Sequence, residues 1–324
     1  MLLNEVIFTI WLLTGFVAVL TIFFNLYILL MNLKTYRKNG HWAPCEIIIT
    51  ALCLCSGAHQ IICYLWMTMD NLDPDCFLGD LFYSLLMVTI YSLKFSIVWS
   101  TAFLSFFYST KLVIEPIHCY TRIQDAFLKH TTTVVLIIPL CGFVSCVPMV
   151  SVISSANDTR VFKDCGALIP SDSPGKFYLG FYLLASDIIP GLLMIKSSIS
   201  ITVHLAIHLR HMKASTNGFH TPKLGSEMRV IRMTLALMGV FFCFVAVDIC
   251  VQYYNAIYAE NVMALTTLFS SIYTAASSFI LVYGKKTHWK ELLYIYSQVV
   301  DQYPCLTCLR VPENKHTAED HQKH

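Results

Sequence analysis

The chain contains seven long apolar stretches that are separated by polar breaks. Each has about 20 or more residues, enough for an α-helix to cross a hydrocarbon core about 30 Å thick. The first stretch has no basic residues before it and is longer than the apolar core of a signal peptide, so we interpret it as a spanning helix. The pattern predicts an all-α membrane protein, a bundle of seven transmembrane helices at Val6–Met31, Cys45–Met69, Leu81–Tyr108, Thr131–Ser155, Phe177–Ile207, Val230–Tyr254 and Val262–Tyr283.

Positive charge is unevenly distributed between the segments that connect these stretches. Of the 22 Lys and Arg residues, 17 fall in the first, third and fifth connections and the C-terminal segment, while only three fall on the other side. An excess of Lys and Arg marks the cytoplasmic side of a membrane protein. We therefore predict that the N-terminus lies outside and the C-terminal segment inside.

The segment after the seventh stretch has its own apolar periodicity. Residues Thr287–Val300 predict an amphipathic helix on the inner membrane surface, with an apolar face at Trp289, Leu292, Leu293, Ile295 and Tyr296. Cys305 and Cys308 follow it, and their juxtamembrane position makes them candidates for palmitoylation, with plain free thiols as the alternative. We expect one membrane domain over residues 1–300 and a short cytoplasmic tail over residues 301–324.

Two features of the predicted outer connections are candidates for modification in an oxidising compartment. Asn157 begins the sequon Asn157-Asp158-Thr159 in the fourth connection and is a candidate for glycosylation. Cys76 and Cys165 are the only two of the 13 cysteines in the second and fourth connections, so they are candidates for a disulfide bond.

Composition narrows the class of function. Apolar residues make up 56% of the chain and charged residues 13%, where a soluble domain has about 25% charged residues. The net charge of +2 gives no argument for a nucleic-acid partner. The motifs of nucleotide-binding loops, hydrolases, zinc peptidases and calcium loops are missing from the sequence, so we expect no enzymatic activity, cofactor or metal.

Single charges inside the apolar stretches are candidates for function. A cation near the bilayer centre costs about 2.5 to 3.5 kcal/mol, so Lys94 in the third stretch should face protein or a water-filled cavity. Asp248 in the sixth stretch is similarly isolated. We expect the two to form a buried ion pair, either a structural pair or a switch that a ligand displaces. Lys196, beside Ser197 and Ser198, is expected to pack against polar neighbours inside the bundle.

The end of the third stretch, from Trp99 to Lys111, reads WSTAFLSFFYSTK. It resembles the W-x-x-x-x-L-x-x-F-Y-x-x-K signature of the type 2 taste receptors, the bitter taste receptor family. Further similar motifs follow in order along nearly the whole chain: Asn25 and Asn32; Thr50-Ala51-Leu52 with Ser56; Pro190, Leu205, His208, Met212 and Gly218-Phe219 with Pro222; and Ser278-Phe279-Ile280-Leu281. The chain departs from the family pattern at Gly57, Ser226-Glu227 and Ser277, where the family has Arg, Ala-His and His.

The resemblance implies a G-protein-coupled receptor at the plasma membrane that is activated by small bitter molecules and signals through a gustducin-like heterotrimeric G protein. Many family members carry a ligand-facing Asn at the position of Lys94. The outer-half candidates for ligand contacts are Trp66, Thr68, Ile90, Tyr91, Lys94, Tyr182, Asp248, Thr267 and Ser270. The inner-mouth candidates for G-protein contacts are Tyr108, Lys111, His208, Met212 and Arg229.

Less specific interpretations remain for these residues. Each outer candidate has lipid contact or core packing as its alternative. For the inner residues, the alternative is that they form a solvated basic rim at the level of the lipid headgroups. Two other functions stay open for the chain: a pheromone receptor of the vomeronasal type 1 family, and an ion-coupled transporter in which Lys94, Lys196 and Asp248 form a charge relay.

Overall fold

The computed structural model describes residues 2–73, 77–112, 122, 126–127, 129–157, 173–215, 224–258 and 263–302. Seven spanning segments, each long and apolar enough to cross a membrane, are present in this part of the chain, which confirms the predicted all-helical bundle. The first three are Leu2–Asn39, Pro44–Leu72 and Asp80–Leu112, and the last two are Leu224–Tyr258 and Met263–Gly284. We call the segments the first to seventh helix.

Prolines shape the fourth and fifth helices. The fourth is divided into Thr131–Cys146 and Pro148–Asn157, because Pro148 has no N–H to continue the hydrogen-bond ladder. The fifth consists of Ser173–Leu183, a π-helical turn at Leu184–Ile188 and Ile189–Ser215. Pro190 lies two residues after the end of this turn, and its missing N–H explains why the regular ladder is interrupted there.

The third helix lies at the centre of the bundle. It contacts the second, fourth, fifth and sixth helices, and it is the most buried of the seven. Two apolar clusters pack around it, one in each half of the membrane. The outer cluster includes Trp66, Tyr83 and Tyr182, and the inner one includes Phe107 and Phe241.

An eighth helix, Lys286–Gln302, confirms the predicted amphipathic segment. His288 and Val300 are buried against the bundle, whereas Leu293 and Ile295 are exposed. The Trp289 ring packs edge-on against Tyr283, with 5.3 Å between the ring centroids. One face is thus attached to the seventh helix and an apolar face remains for the membrane surface.

Candidate ligand site and buried charge cluster

Three charged side chains meet inside the bundle, just on the outer side of its middle. Lys94 of the third helix places its Nζ 2.7 Å from Oδ2 of Asp248 in the sixth helix. The same Nζ lies 3.9 Å from Oδ2 of Asp187, which the π-helical turn of the fifth helix carries. The side chains are 5%, 1% and 1% exposed, respectively. The ion pair expected between Lys94 and Asp248 is therefore present, with a second carboxylate beside it.

Aromatic rings enclose this charge cluster. Lys94 Nζ lies 5.7 Å from the ring centroid of Tyr182 and 5.2 Å from that of Phe244, distances at which a cation is attracted to a ring face. The Tyr182 hydroxyl donates a hydrogen bond of 2.9 Å to the backbone oxygen of Tyr91. These contacts fix the aromatic walls and exclude water, which strengthens the interactions among the charges.

The cluster holds one lysine and two aspartic acids. The remaining carboxylate oxygens, Oδ1 of Asp187 and Oδ1 of Asp248, are buried and have no hydrogen-bond partner among the described residues. Buried carboxylates are costly unless they are paired and fully hydrogen-bonded. The two acids therefore compete for a single cation.

A small cavity, with about 10 Å³ of free volume, borders the cluster on the side of Lys94. Its lining comes from the second, third and seventh helices: His59, Cys63, Ile90, Tyr91, Lys94, Met263, Thr266, Thr267 and Ser270. His59 Nε2 lies 3.3 Å from Ser270 Oγ and 3.4 Å from Cys63 Sγ. This is room for about one water molecule, so a small-molecule ligand would have to widen the cavity.

Five of the nine predicted outer residues line this single cavity, namely Ile90, Tyr91, Lys94, Thr267 and Ser270. Tyr182 and Asp248 lie beside it in the charge cluster. Trp66 and Thr68 do not line it: Trp66 is buried in the outer apolar cluster, and Thr68 accepts a 3.1 Å hydrogen bond from Trp11 Nε1 of the first helix. Their ligand-contact role stays a prediction, but their positions favour packing.

Sequence reasoning missed several residues of the site. His59, Cys63, Met263 and Thr266 line the cavity, and Asp187 completes the charge cluster. Asp187 had a clear signal, because it is an acid inside an apolar stretch, as Asp248 is. Lys196 was predicted wrongly, since it lies on the exposed side of the fifth helix while Ser197 and Ser198 are buried. It is not part of the cluster that contains Lys94 and Asp248.

A model of the taste receptor protein family (TAS2R) matches residues 1–298. The chain belongs to the TAS2R taste receptor family. Among solved structures, squid rhodopsin is similar in fold, with a TM-score of 0.60 and 12% sequence identity, covering 98% of this chain and 91% of that one. No curated protein matches the chain. This taste receptor is thus a multi-pass G-protein-coupled receptor, whose class has small-molecule ligands and G-protein partners.

The inner half of the taste receptor contains a second polar network. Lys285 Nζ donates to Glu46 Oε1 at 2.9 Å and to Asn32 Oδ1 at 3.3 Å, and Asn32 Nδ2 donates to Thr50 Oγ1 at 3.2 Å. Glu46 Oε2 also accepts the backbone N–H of Ala43, which caps the second helix. Asn32 and Thr50, both part of the family motifs, therefore join the first, second and seventh helices.

The predicted G-protein contacts lie around the inner mouth. Lys111 Nζ stands 4.8 Å from the Phe107 ring centroid, and Tyr108 is half-buried. Arg229 donates a 3.4 Å hydrogen bond to the backbone oxygen of Tyr283, joining the sixth helix to the seventh. His208 and Met212 lie on the inner part of the fifth helix, Ile189–Ser215. Their coupling role stays a prediction.

The candidate modification sites lie at the edge of the described residues or beyond it. Asn157 is the last residue of the fourth helix, and the rest of its sequon falls outside the described ranges. Cys76, Cys165, Cys305 and Cys308 also fall outside them. Within the described ranges, no group of three His, Cys, Asp or Glu residues is arranged to hold a metal ion.

Proposed function

We propose that this receptor responds to small bitter-tasting molecules that bind in the outer cavity and that it activates a gustducin-like heterotrimeric G protein at the plasma membrane. The observation that supports this proposal best is the cavity itself. Five predicted outer residues line it, and one of them, Lys94, is also paired with Asp248 of the sixth helix. A ligand in this cavity would contact a residue whose partner is on another helix.

The chemistry of the lining favours amphipathic ligands. Ile90, Tyr91 and Met263 supply apolar surface, while Thr267 and Ser270 supply hydroxyl groups. The Thr267 hydroxyl is buried and has no hydrogen-bond partner in the described part of the chain, so it is available to a ligand. A mainly apolar wall with a few polar groups is the usual composition of a small-molecule site.

The mechanism follows from the size of the cavity. An agonist is much larger than this cavity, so it binds better to a packing in which the helices around Lys94 have moved apart. Such a ligand shifts the population toward that packing by as much as its affinities for the two packings differ. The inner ends of the third, fifth and sixth helices would then separate and admit the G protein.

The test is an assay of G-protein dissociation, by resonance energy transfer, in cells that express the receptor with a gustducin-like α subunit and receive a panel of bitter compounds. We expect a dose-dependent response to at least one compound. Thr267→Val and Ser270→Ala should each raise its EC50 about 2- to 10-fold, the cost of one lost hydrogen bond. Thr89→Val is the matched control, since Thr89 lies in the outer half of the third helix, outside the cavity, and its hydroxyl bonds only to the backbone oxygen of Leu85 among the contacts described.

An equal EC50 shift in the control and the cavity variants would contradict the assignment of the site. Silence across the panel from a receptor verified at the cell surface would contradict the bitter assignment and favour a pheromone-type ligand instead.

A further inference from the structure

Lys94 stands between carboxylates on two different helices. Asp248 of the sixth helix is its present partner at 2.7 Å, and Asp187 of the fifth helix lies only 3.9 Å from the same Nζ. The contact range of a charge-assisted hydrogen bond is about 2.7 to 2.9 Å, so a displacement of Nζ by about 1 Å would exchange one partner for the other. The flexible four-carbon stem of lysine accommodates such a displacement.

Release of the sixth helix from Lys94 has a strict physical requirement. A buried ion pair whose partner is removed leaves an uncompensated charge, which is strongly destabilising. An agonist that simply broke the Lys94–Asp248 pair would therefore have to overcome this penalty. A replacement partner that is already buried beside Lys94 removes most of this penalty.

We propose that Asp187 is this replacement partner, and that activation transfers Lys94 from Asp248 of the sixth helix to Asp187 of the fifth. The inference rests on the proposed receptor function and adds a positioning residue to it. The transfer moves no charge into or out of the cluster, which contains the same lysine and the same two aspartic acids before and after. Only the helix attached to Lys94 changes.

The surroundings of Asp187 suit an alternative partner. Ser186 Oγ donates a 2.6 Å hydrogen bond to Asp187 Oδ2, which orients the carboxylate, while Oδ1 is buried without a partner among the described residues. Asp187 therefore has an unused acceptor in a dry site. It also lies in the π-helical turn at Leu184–Ile188, an irregularity that is frequent at functional sites.

The first experiment tests whether the two acids can replace each other, and it requires no ligand. Asp187→Asn, Asp248→Asn and the double variant are compared for surface expression and for melting temperature of the purified receptor in detergent. We expect each single variant to be expressed and to melt within a few degrees of wild type, because Lys94 keeps one carboxylate. The double variant should lose most of its surface expression, far beyond the sum of the single effects.

Addition of Lys94→Met to the double variant should restore expression, since no buried charge then remains. If the Asp248→Asn single variant lost as much surface expression as the double variant, the proposal would be overturned. That result would mean that Asp187 cannot pair with Lys94.

The second experiment separates a switch from a merely structural pair. Basal dissociation of a co-expressed gustducin-like G protein is measured without agonist and normalised to surface expression. Asp248→Asn should raise it about fivefold or more, the lower range of couplings between sites, because Lys94 is then held only by the fifth helix. Asp187→Asn should leave it at or below the wild-type value. Glu5→Gln, an exposed acid at the outer end of the first helix, is the control.

Basal activity that moves in the same direction in both single variants would overturn the transfer, since loss of a structural charge affects both in the same way. Because the replacement experiment uses neither a bitter compound nor a G protein, a failed ligand panel does not affect its result. Failure of the replacement test in turn leaves the proposed ligand class unaffected.

Discussion

Lys94 in the outer half and Lys285 in the inner half each make a short ion pair, at 2.7 Å to Asp248 and 2.9 Å to Glu46. Their surroundings differ. The outer lysine side chain is 5% exposed and shared with a second acid, whereas Lys285 is 30% exposed and its other contact is the neutral Asn32. Both oxygens of Glu46 accept hydrogen bonds, while one oxygen of each outer carboxylate accepts none in the described structure.

The difference indicates which contacts between helices are most open to rearrangement. Polar contacts between the first, second and seventh helices are neutral: Ser278 Oγ donates to Asn25 Oδ1 at 2.8 Å, and Gln60 donates to Thr274, while Asn25 Nδ2 and Gln60 Oε1 have no partner among the described residues. The third helix is joined to the fifth and sixth through a cluster with more acids than cations. A buried acid without a partner costs more than a neutral polar group without one. We infer that the contacts of the third helix with the fifth and sixth are the ones most open to rearrangement.

The substitution with the largest expected effect on stability is Lys94→Met. The variant leaves two carboxylates buried without a cation, and we expect it to lower the free energy of unfolding by about 3–5 kcal/mol. The measurement is thermal unfolding of the purified receptor, together with surface expression. The triple variant that also replaces Asp187 and Asp248 by Asn is the control and should recover most of the loss. A Lys94→Met receptor as stable as wild type would show that the cluster is already neutralised without Lys94.

The inner pair should be less sensitive. Lys285→Met leaves Glu46, whose side chain is 8% exposed, still capping Ala43 through its other oxygen, so we expect a loss of about 1–2 kcal/mol in the same unfolding measurement. Lys34→Met is the matched control. Its pair with Glu291 has a similar length, 3.0 Å, but side chains that are 66% and 41% exposed, and its loss should stay below about 0.5 kcal/mol. If Lys285→Met cost as much as Lys94→Met, burial would not be what distinguishes the two sites.

The spans were predictable from the sequence because the bilayer imposes a minimum apolar length on every crossing helix. The Lys94–Asp248 pair was predictable for a related reason, since isolated charges in apolar helices must find partners. The same argument applied to Asp187 but was not made. Its contact with the cluster also depends on the π-helical turn before Pro190, a local change in helical phase that no apolar pattern reveals.

The direction in which individual side chains point was the feature hardest to predict from the sequence. A helix that is apolar on all sides has little periodicity, so the sequence does not indicate which outer-half side chains point inward. For this reason the sequence did not reveal that Thr68 faces Trp11 of the first helix. Its depth in the membrane would also suit a ligand contact. Lys196 illustrates the same difficulty: successive helical residues are about 100° apart, so two buried serines do not imply a buried lysine beside them.

The smallest expected effect concerns His288, next to the inner pair. Its backbone oxygen accepts a 2.6 Å hydrogen bond from Tyr27, and burial together with the charge of Lys285 lowers the pKa of its ring from 6.5 to about 4. A histidine with a lowered pKa stabilises the fold fully above its unfolded pKa, and this contribution is lost as the pH falls from about 6.5 toward 4. Between about pH 7.5 and 6 the loss should stay below about 1 kcal/mol, and His288→Gln should remove it. The measurement is the melting temperature of both receptors across that range, in which Asp and Glu remain ionised. Equal pH dependence in the two proteins would mean that the His288 ring has the same pKa in the folded receptor as in the unfolded chain, so that neither burial nor Lys285 disfavours its protonation.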